Sequence, residues 1–146
     1  MLRLGPDLFP AIVAHMYAGL PDEACGLLVG DPATAAVARF VACANAARSS
    51  RVYAVAPRDL MQADREATAD GFEVIGVVHS HTHTDAFPSP TDVAQVPDPG
   101  WHYVIVSLKR AEPSLRSYRI VDGTVTEEPV IAEAPLTGWA SRVRAP

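Results

Sequence analysis

Two runs of the sequence, ACGLLVG at residues 24–30 and EVIGVVHSH at residues 73–81, place apolar residues at consecutive positions and are bounded by turn formers. Consecutive residues of a strand point to opposite faces, so each run predicts a strand that is buried on both sides. A sheet that contains such strands needs helices or loops packed against each of its faces. No other feature of the chain constrains the fold as strongly.

The remaining segments supply the elements that could complete and cover this sheet. Helical patterns are predicted at 8–19, from Pro57 to Gly71, and for about two turns after Ser89. Further strands are predicted at 36–44, 51–56 and 101–108. Asp122-Gly123 predicts a hairpin between LRSYRIV and TVTEEPV. This order of elements predicts an α/β fold, with a mixed sheet, two main helices packed on it and a C-terminal β-hairpin.

Charge and hydropathy narrow the classes of function. Twelve Lys and Arg residues stand against seventeen Asp and Glu residues, which gives a net charge of −5, and the sequence has no run of basic residues. It has neither a stretch of about 18 apolar residues nor a basic segment followed by an apolar one at its start. We therefore expect a soluble, cytoplasmic, single-domain protein that binds neither nucleic acid nor membrane.

The segment HSHTHTDAFPSPTD begins at His79, places three histidines at alternate positions and ends in an aspartate. Alternate side chains of a strand share a face, so Ile75, Val77, His79 and His81 are expected on one side of the predicted strand. Alternate residues lie roughly 6.6 Å apart, which allows the imidazoles of His79 and His81 to lean toward one zinc ion. His83 would lie roughly 13 Å from His79 in an extended chain, which is too far to share that ion.

Asp92 is the candidate for a third ligand, because a catalytic zinc usually has three protein ligands and one water. Two alternatives stay open on the residues alone. Asp92 could instead be the N3 carboxylate of a capping box with Ser89, at the start of a short helix. His79 and His81 could likewise be strand-end histidines that bind no metal.

These residues also match a known motif. His79, His81, Ser89 and Asp92 have the spacing of the JAMM (MPN+) metalloprotease motif, in which ten residues separate an HxH pair from an aspartate and a serine lies three positions before that aspartate. Glu23, in DEACGLLVG, matches the glutamate that this family has just before an early strand. The chain therefore resembles the JAMM zinc metalloproteases. Four segments resemble the actinobacterial members that release cysteine from a sulfur-carrier protein: PDEACGLLVG, NAARSSRVY, HYVIVS and LRSYRIVDGTVTEEPV.

The resemblance implies a set of roles for the matching residues. It implies one Zn²⁺ per chain, bound by His79, His81 and Asp92 together with a water. Glu23 would be the general base and then the general acid. Ser89 would donate a hydrogen bond to the developing oxyanion.

The resemblance also implies the limits of the domain and its fold. It covers residues from about 7 to 130. We therefore expect a JAMM/MPN (cytidine-deaminase-like) domain with a curved mixed sheet at residues 1–130. Residues 131–146 show no clear periodicity and are expected to form a C-terminal tail of unknown order.

The function that the resemblance implies is that of a zinc-dependent hydrolase acting on a small ubiquitin-like sulfur-carrier protein. It would cleave the amide bond after the C-terminal Gly-Gly of the carrier and release cysteine, as a step of cysteine biosynthesis. The alternatives are an isopeptidase that removes a ubiquitin-like modifier from proteins, and a non-catalytic MPN scaffold. The short connections around the HxH strand favour a small carrier, since the relatives that grip ubiquitin have long insertions. The oligomeric state and the role of His83 stay open.

Overall fold

A computed structural model describes residues 1–138 of the chain, which contain eight strands and three helices. The strands are β1 (Leu2–Leu4), β2 (Cys25–Asp31), β3 (Ala36–Cys43), β4 (Glu73–His81), β5 (His102–Ser107), β6 (Ser114–Val121), β7 (Thr124–Glu128) and β8 (Val130–Ala132). The helices are α1 (Leu8–Ala18), α2 (Pro57–Ala69) and α3 (Pro90–Ala94). The strands form one sheet in the order β7-β6-β5-β4-β2-β3-β1-β8.

The two long helices cover the two faces of the sheet. Helix α1 packs its apolar side chains into one core with Leu28 of β2 and Val78 of β4. Helix α2 contributes to a second core, which contains Leu27 and Val77 from the same two strands. Strands β2 and β4 are therefore buried on both sides, as their apolar sequences predict. The mixed α/β fold with two main helices is confirmed.

The sheet is mixed in strand direction. Strand β4 is parallel to β5, and β1 is parallel to β3 and β8, whereas the other neighbouring strands are antiparallel. The predicted C-terminal hairpin is confirmed as β6 and β7. At its turn, Asp122 and Gly123 have φ angles of 49° and 76°. Two consecutive left-handed residues form the type I′ turn that Asp-Gly favours.

The strand predicted at 51–56 is wrong. This segment forms only an isolated bridge between Val55 and Asn45. Side chains accept the hydrogen bonds of its backbone N–H groups. The N–H groups of Arg51 and Val52 donate to Ser49 Oγ, and the N–H of Ala54 donates to Asn45 Oδ1. Such local side-chain bonds replace the ladder that a neighbouring strand would provide.

The face predicted for Ile75 is also wrong. Ile75 lies in the α1 core, whereas Val77 lies in the α2 core. The register between β2 and β4 shifts at this point, because Leu28 pairs with Gly76 and Val29 pairs with Val74. Ile75 is therefore the extra residue of a β-bulge, which reverses the alternation of the strand before it. Val77 and His79 keep the common face that the sequence predicts.

The two shortest strands were not predicted, and they join the two ends of the described chain. Strand β8 pairs with β1 through Leu2 and Val130, and through Arg3 and Ile131. Two residues of the predicted tail thus lie in the sheet, while residues 139–146 of that tail lie outside the described residues. The domain limit at residue 130 stays a prediction. Within residues 1–138, no helix is long and apolar enough to cross a lipid bilayer.

Candidate metal centre

The antiparallel pairing of β2 with β4 brings the start of one strand beside the histidine end of the other. Cys25 pairs with His79. One residue further, the Ala24 N–H donates to Ser80 Oγ over 2.8 Å, and the Ser80 N–H donates to the Ala24 carbonyl over 2.9 Å. The preceding residue, Glu23, lies close enough to His81 for their charges to interact. The pairing therefore joins two segments that are far apart in sequence.

Three side-chain atoms converge at this point. His79 Nε2 lies 3.2 Å from His81 Nε2 and 3.2 Å from Asp92 Oδ2, and His81 Nε2 lies 3.1 Å from Asp92 Oδ2. Bonds of about 2.0–2.2 Å from a tetrahedral zinc ion place its ligand atoms roughly 3.3 Å apart. The spacing of the three atoms therefore matches one face of a tetrahedral metal site.

The hydrogen bonding of His81 is compatible with a cation at this position. Its Nδ1 lies 2.8 Å from the carbonyl oxygen of Asp85, which can only accept a hydrogen bond. Nδ1 therefore carries a proton, and in the neutral ring Nε2 has a free lone pair directed at His79 and Asp92. A lone pair and a carboxylate in such close contact repel one another unless a proton or a cation lies between them. A backbone carbonyl that orients a ligand histidine in this way is common at metal sites.

Asp92 forms the capping box that the sequence offers as one alternative, and its carboxylate is also placed where the other alternative, a metal ligand, requires it. The Asp92 N–H donates to Ser89 Oγ over 3.0 Å, and the Ser89 N–H donates to Asp92 Oδ2 over 2.9 Å, which forms the predicted capping box. The same Oδ2 atom faces the two histidines. Burial raises the pKa of Asp92. Without a metal, hydrogen bonds from His79 and His81, when their Nε2 atoms carry a proton, and from the Ser89 backbone outweigh this effect and hold the pKa well below its usual range. Asp92 is therefore a carboxylate, the form that binds a metal.

Glu23 is buried beside this group. Its side-chain Oε1 atom accepts no hydrogen bond from the described residues. Burial raises the pKa of Glu23 from 4.5 to about 7, with a smaller lowering by His81 and a smaller raising by Asp92. A buried carboxyl oxygen without a donor is costly in a purely structural role. A pKa near neutrality is instead suited to taking up and releasing a proton.

The loop that returns Asp92 to the histidines is fixed by strands β5 and β6. Ser107 Oγ donates to the Thr84 carbonyl over 2.5 Å, and the Tyr118 hydroxyl donates to the Ala86 carbonyl. His83 lies on this loop, is exposed, and does not belong to the His-His-Asp group. Its Nδ1 lies 2.8 Å from Thr82 Oγ1. The predicted separation of His83 from His79 and His81 is therefore confirmed, while its role stays open.

Sequence reasoning did not single out Tyr53 and Asn45. The ring of Tyr53 stacks on the imidazole of His79, with a centroid distance of 4.1 Å and an interplanar angle of 18°. Asn45 donates from Nδ2 to the carbonyl oxygen of Glu23 over 2.9 Å. An asparagine at the start of a loop is typical of side-chain bonding to backbone, but the segments that it bonds depend on the tertiary fold.

Comparisons with known proteins are consistent with this geometry. Residues 6–121 match a family model described as prokaryotic homologs of the JAB domain. The chain is 44% identical over 132 residues to a CysO-cysteine peptidase of Mycobacterium tuberculosis, which covers 89% of this chain and 90% of the relative. It is 32% identical over 111 residues to a desampylase of Haloferax volcanii, with coverage of 73% and 80%.

A solved structure supports the fold assignment. A JAB1/MPN domain protein of Archaeoglobus fulgidus superposes with a TM-score of 0.60 at 18% identity, over 90% of this chain and 96% of that chain. At this identity the likeness concerns the fold alone, and it agrees with the predicted JAMM/MPN fold. The family match covers most of the sheet, the histidine strand and Asp92. The chain belongs to the Prok-JAB family, the prokaryotic homologs of the JAB domain, and it is a hydrolase.

Proposed function

We propose that this protein is a zinc-dependent hydrolase that cleaves the amide bond after the C-terminal Gly-Gly of a small sulfur-carrier protein and releases cysteine. The observation that carries the proposal is the convergence of His79 Nε2, His81 Nε2 and Asp92 Oδ2 to within 3.1–3.2 Å of one another, beside the buried carboxyl of Glu23. These residues combine three metal ligands with a proton acceptor, which is the minimum set for metal-assisted amide hydrolysis.

His79, His81 and Asp92 would hold one Zn²⁺ per chain. When bound, the ion would lower the pKa of a water molecule toward 7 and polarise the carbonyl group of the substrate. Glu23 accepts a proton from the attacking water and then donates it to the amine of the leaving group. The Ser89 hydroxyl donates a hydrogen bond to the carbonyl oxygen as negative charge develops on it. The Ser89 oxygen accepts the Asp92 N–H, and this bond does not use the hydroxyl proton that the donation requires.

The proposed substrate is inferred from the relatives that this chain is similar to. The CysO-cysteine peptidase is similar over nearly the whole length of both chains, which favours a carrier protein and a cysteine leaving group. The desampylase favours the second candidate, an isopeptidase that removes a ubiquitin-like modifier from proteins. The metal centre does not distinguish the two, because both reactions hydrolyse an amide bond after an extended tail.

The test of the proposed function is mass spectrometry of a small carrier protein that ends in Gly-Gly-Cys, incubated with the zinc-loaded protein. We expect loss of the terminal cysteine, because a Gly-Gly tail can lie extended beside the metal. A chelator should stop the reaction, and added Zn²⁺ should restore it.

The matched control is the same carrier joined through Gly-Gly to the side chain of a lysine in a second protein. Cleavage of the lysine conjugate without release of cysteine would favour the isopeptidase. If the zinc-loaded protein cleaves neither substrate, the proposed function is wrong.

Replacing Ser89 with alanine is expected to lower the rate of hydrolysis by about 10²-fold, which is typical for the loss of one oxyanion-hole donor. The variant also loses the N-cap of α3, which costs about 1 kcal/mol of stability. The two effects are separable by measuring turnover and thermal unfolding on the same sample.

Ser89→Thr is the matched control, since threonine retains both the hydroxyl donor and the capping oxygen. We expect it to recover most of the rate. A Ser89→Ala variant with the turnover of the wild type would exclude the oxyanion role, whatever its stability.

A further inference from the structure

Asn45 joins three segments of the chain around the candidate metal centre. Its Nδ2 atom donates toward the carbonyl oxygens of Glu23, Ser49 and Val52 at 2.9, 3.3 and 3.0 Å. Its Oδ1 atom accepts the N–H groups of Ala47 and Ala54 at 2.9 and 3.0 Å. Both polar atoms of this one half-buried side chain are thus fully used in holding backbone.

The first of these contacts fixes Glu23 from outside the sheet. Glu23 precedes β2, so the strand ladder does not include it. Its backbone is held instead by the loop that follows β3: the Glu23 N–H donates to the Ser49 carbonyl over 2.8 Å, and its carbonyl accepts from Asn45. Asn45 also donates to the carbonyl of Ser49, so it contacts both residues of the hydrogen bond between Glu23 and Ser49. The buried Oε1 of Glu23 receives no hydrogen bond from described residues, so the carboxyl depends on its backbone for its position.

The other contacts of Asn45 fix Tyr53. Asn45 binds the carbonyl of Val52 and the N–H of Ala54, which are the residues on either side of Tyr53. The ring of Tyr53 in turn stacks on the imidazole of His79 at 4.1 Å. His81 is oriented differently, by a hydrogen bond to the Asp85 carbonyl. The aromatic stack is therefore the counterpart, for His79, of the carbonyl that orients His81.

We propose that Asn45 is a positioning residue of the active site. It positions the general base Glu23 through the Glu23 backbone, and it positions the ligand His79 through Tyr53. The inference rests on the proposed function for its catalytic part, whereas the effect on metal binding does not depend on the substrate. Residues that orient a ligand from outside the coordination sphere typically contribute 10- to 100-fold to metal affinity or activity. Asn45 affects both metal affinity and activity, because its one amide group contacts the backbone at Glu23 and the backbone beside Tyr53.

The first test measures zinc affinity by competition with a chelator, together with thermal unfolding. We expect Asn45→Ala and Tyr53→Ala to weaken zinc binding by about 10-fold, because each frees the ring of His79. Tyr53→Phe retains the stack and should bind zinc as the wild type does. Thr34→Ala is the matched control, since it also removes a side-chain hydrogen bond to loop backbone, the one to the Ala36 N–H, but lies at the other end of β2 and β3 and should bind zinc as the wild type does.

Asn45→Asp provides a second variant in case Asn45→Ala does not fold. Aspartate has the same shape and keeps the acceptor for Ala47 and Ala54, but it cannot donate to the three carbonyl oxygens. We expect it to lose affinity and rate as Asn45→Ala does. Wild-type zinc affinity in a folded Asn45 variant would overturn the proposal, and this holds even if the wild type proves to have another substrate.

The second test is a double-mutant cycle on the rate of hydrolysis at saturating zinc. We expect Asn45→Ala to lower kcat by about 10- to 100-fold in the wild type but by less than about 3-fold in the Glu23→Gln background, because the base that it positions is already absent. A residue with a merely structural role would give the same factor in both backgrounds, and that result would contradict the proposal. If the wild type releases no cysteine from the carrier, the proposed function fails, and the zinc measurements alone decide the role of Asn45.

Discussion

Replacement of His81 with alanine is expected to remove the metal from the protein and to reduce hydrolysis on the order of 10³- to 10⁵-fold. His81 Nε2 supplies one of three converging atoms, and two remaining ligands leave a site too open to retain zinc. A lost metal ion removes several kcal/mol of transition-state stabilisation, which corresponds to this range of rates. The measurements are zinc content per chain by elemental analysis and release of cysteine from the carrier.

His83→Ala is the matched control for this variant. It removes the same type of side chain two residues away, but His83 is exposed and lies outside the group of converging atoms. We expect it to keep one zinc per chain and nearly the full rate. If His81→Ala binds zinc with the stoichiometry of the wild type, the assignment of His81 as a ligand is wrong.

Replacement of Glu23 with glutamine is expected to leave zinc in place and to lower turnover by about 10²- to 10⁴-fold, the usual contribution of a positioned general base. Glutamine has nearly the same shape but cannot accept a proton at neutral pH. The variant therefore separates proton transfer from metal binding, which the ligand variants cannot do. Near-normal turnover by Glu23→Gln would falsify the role of Glu23.

Two further measurements serve as the control for this variant. Glu66→Gln makes the same change at an exposed position of α2, and we expect it to have no effect on turnover. The difference between wild type and Glu23→Gln in the pH dependence of stability, measured in zinc-free protein, reports on Glu23. Burial raises its folded pKa from 4.5 to about 7, so the folded state retains a proton that the unfolded state loses. The stability contributed by protonated Glu23 is therefore lost as pH rises from 4.5 to 7, and Glu23→Gln should gain stability relative to the wild type across that window.

Much of the secondary structure could be predicted from local patterns. The apolar runs of β2 and β4, the helix that begins at Pro57 and the Asp122-Gly123 turn agree with the structure to within two residues. In each case the signal lies within one short segment, where strand alternation, helical periodicity or turn chemistry has a direct local cause. The alternation also predicts correctly that the side chains of His79 and His81 lie on one face of the strand.

The failures occur where a distant segment overrides the local pattern. The segment 51–56 has the composition of a strand, but Asn45 and Ser49 take its backbone hydrogen bonds. Ile75 has the pattern of the α2 face, but a bulge opposite β2 turns it toward α1. The two three-residue strands carry too few residues for any periodicity to be visible.

Asp92 shows how a single residue can satisfy two interpretations that sequence patterns treat as alternatives. Its capping box with Ser89 is local and could be predicted from spacing. Whether its Oδ2 also reaches the histidines depends on the path of the intervening loop. That path is fixed by Ser107 and Tyr118, which lie on other strands.

The sequence by itself determined the helices, most of the strands, the shared face of His79 and His81 and, through motif resemblance, the family. The motif resemblance named Glu23, but only the tertiary structure shows how it meets these histidines, because strand register joins residues more than fifty positions apart. The tertiary structure alone decided that Asn45 and Tyr53 support the site, since residues that make contacts between loops show no periodic pattern in the sequence. Local patterns arise from the geometry of one element, whereas an active site arises from the packing of several.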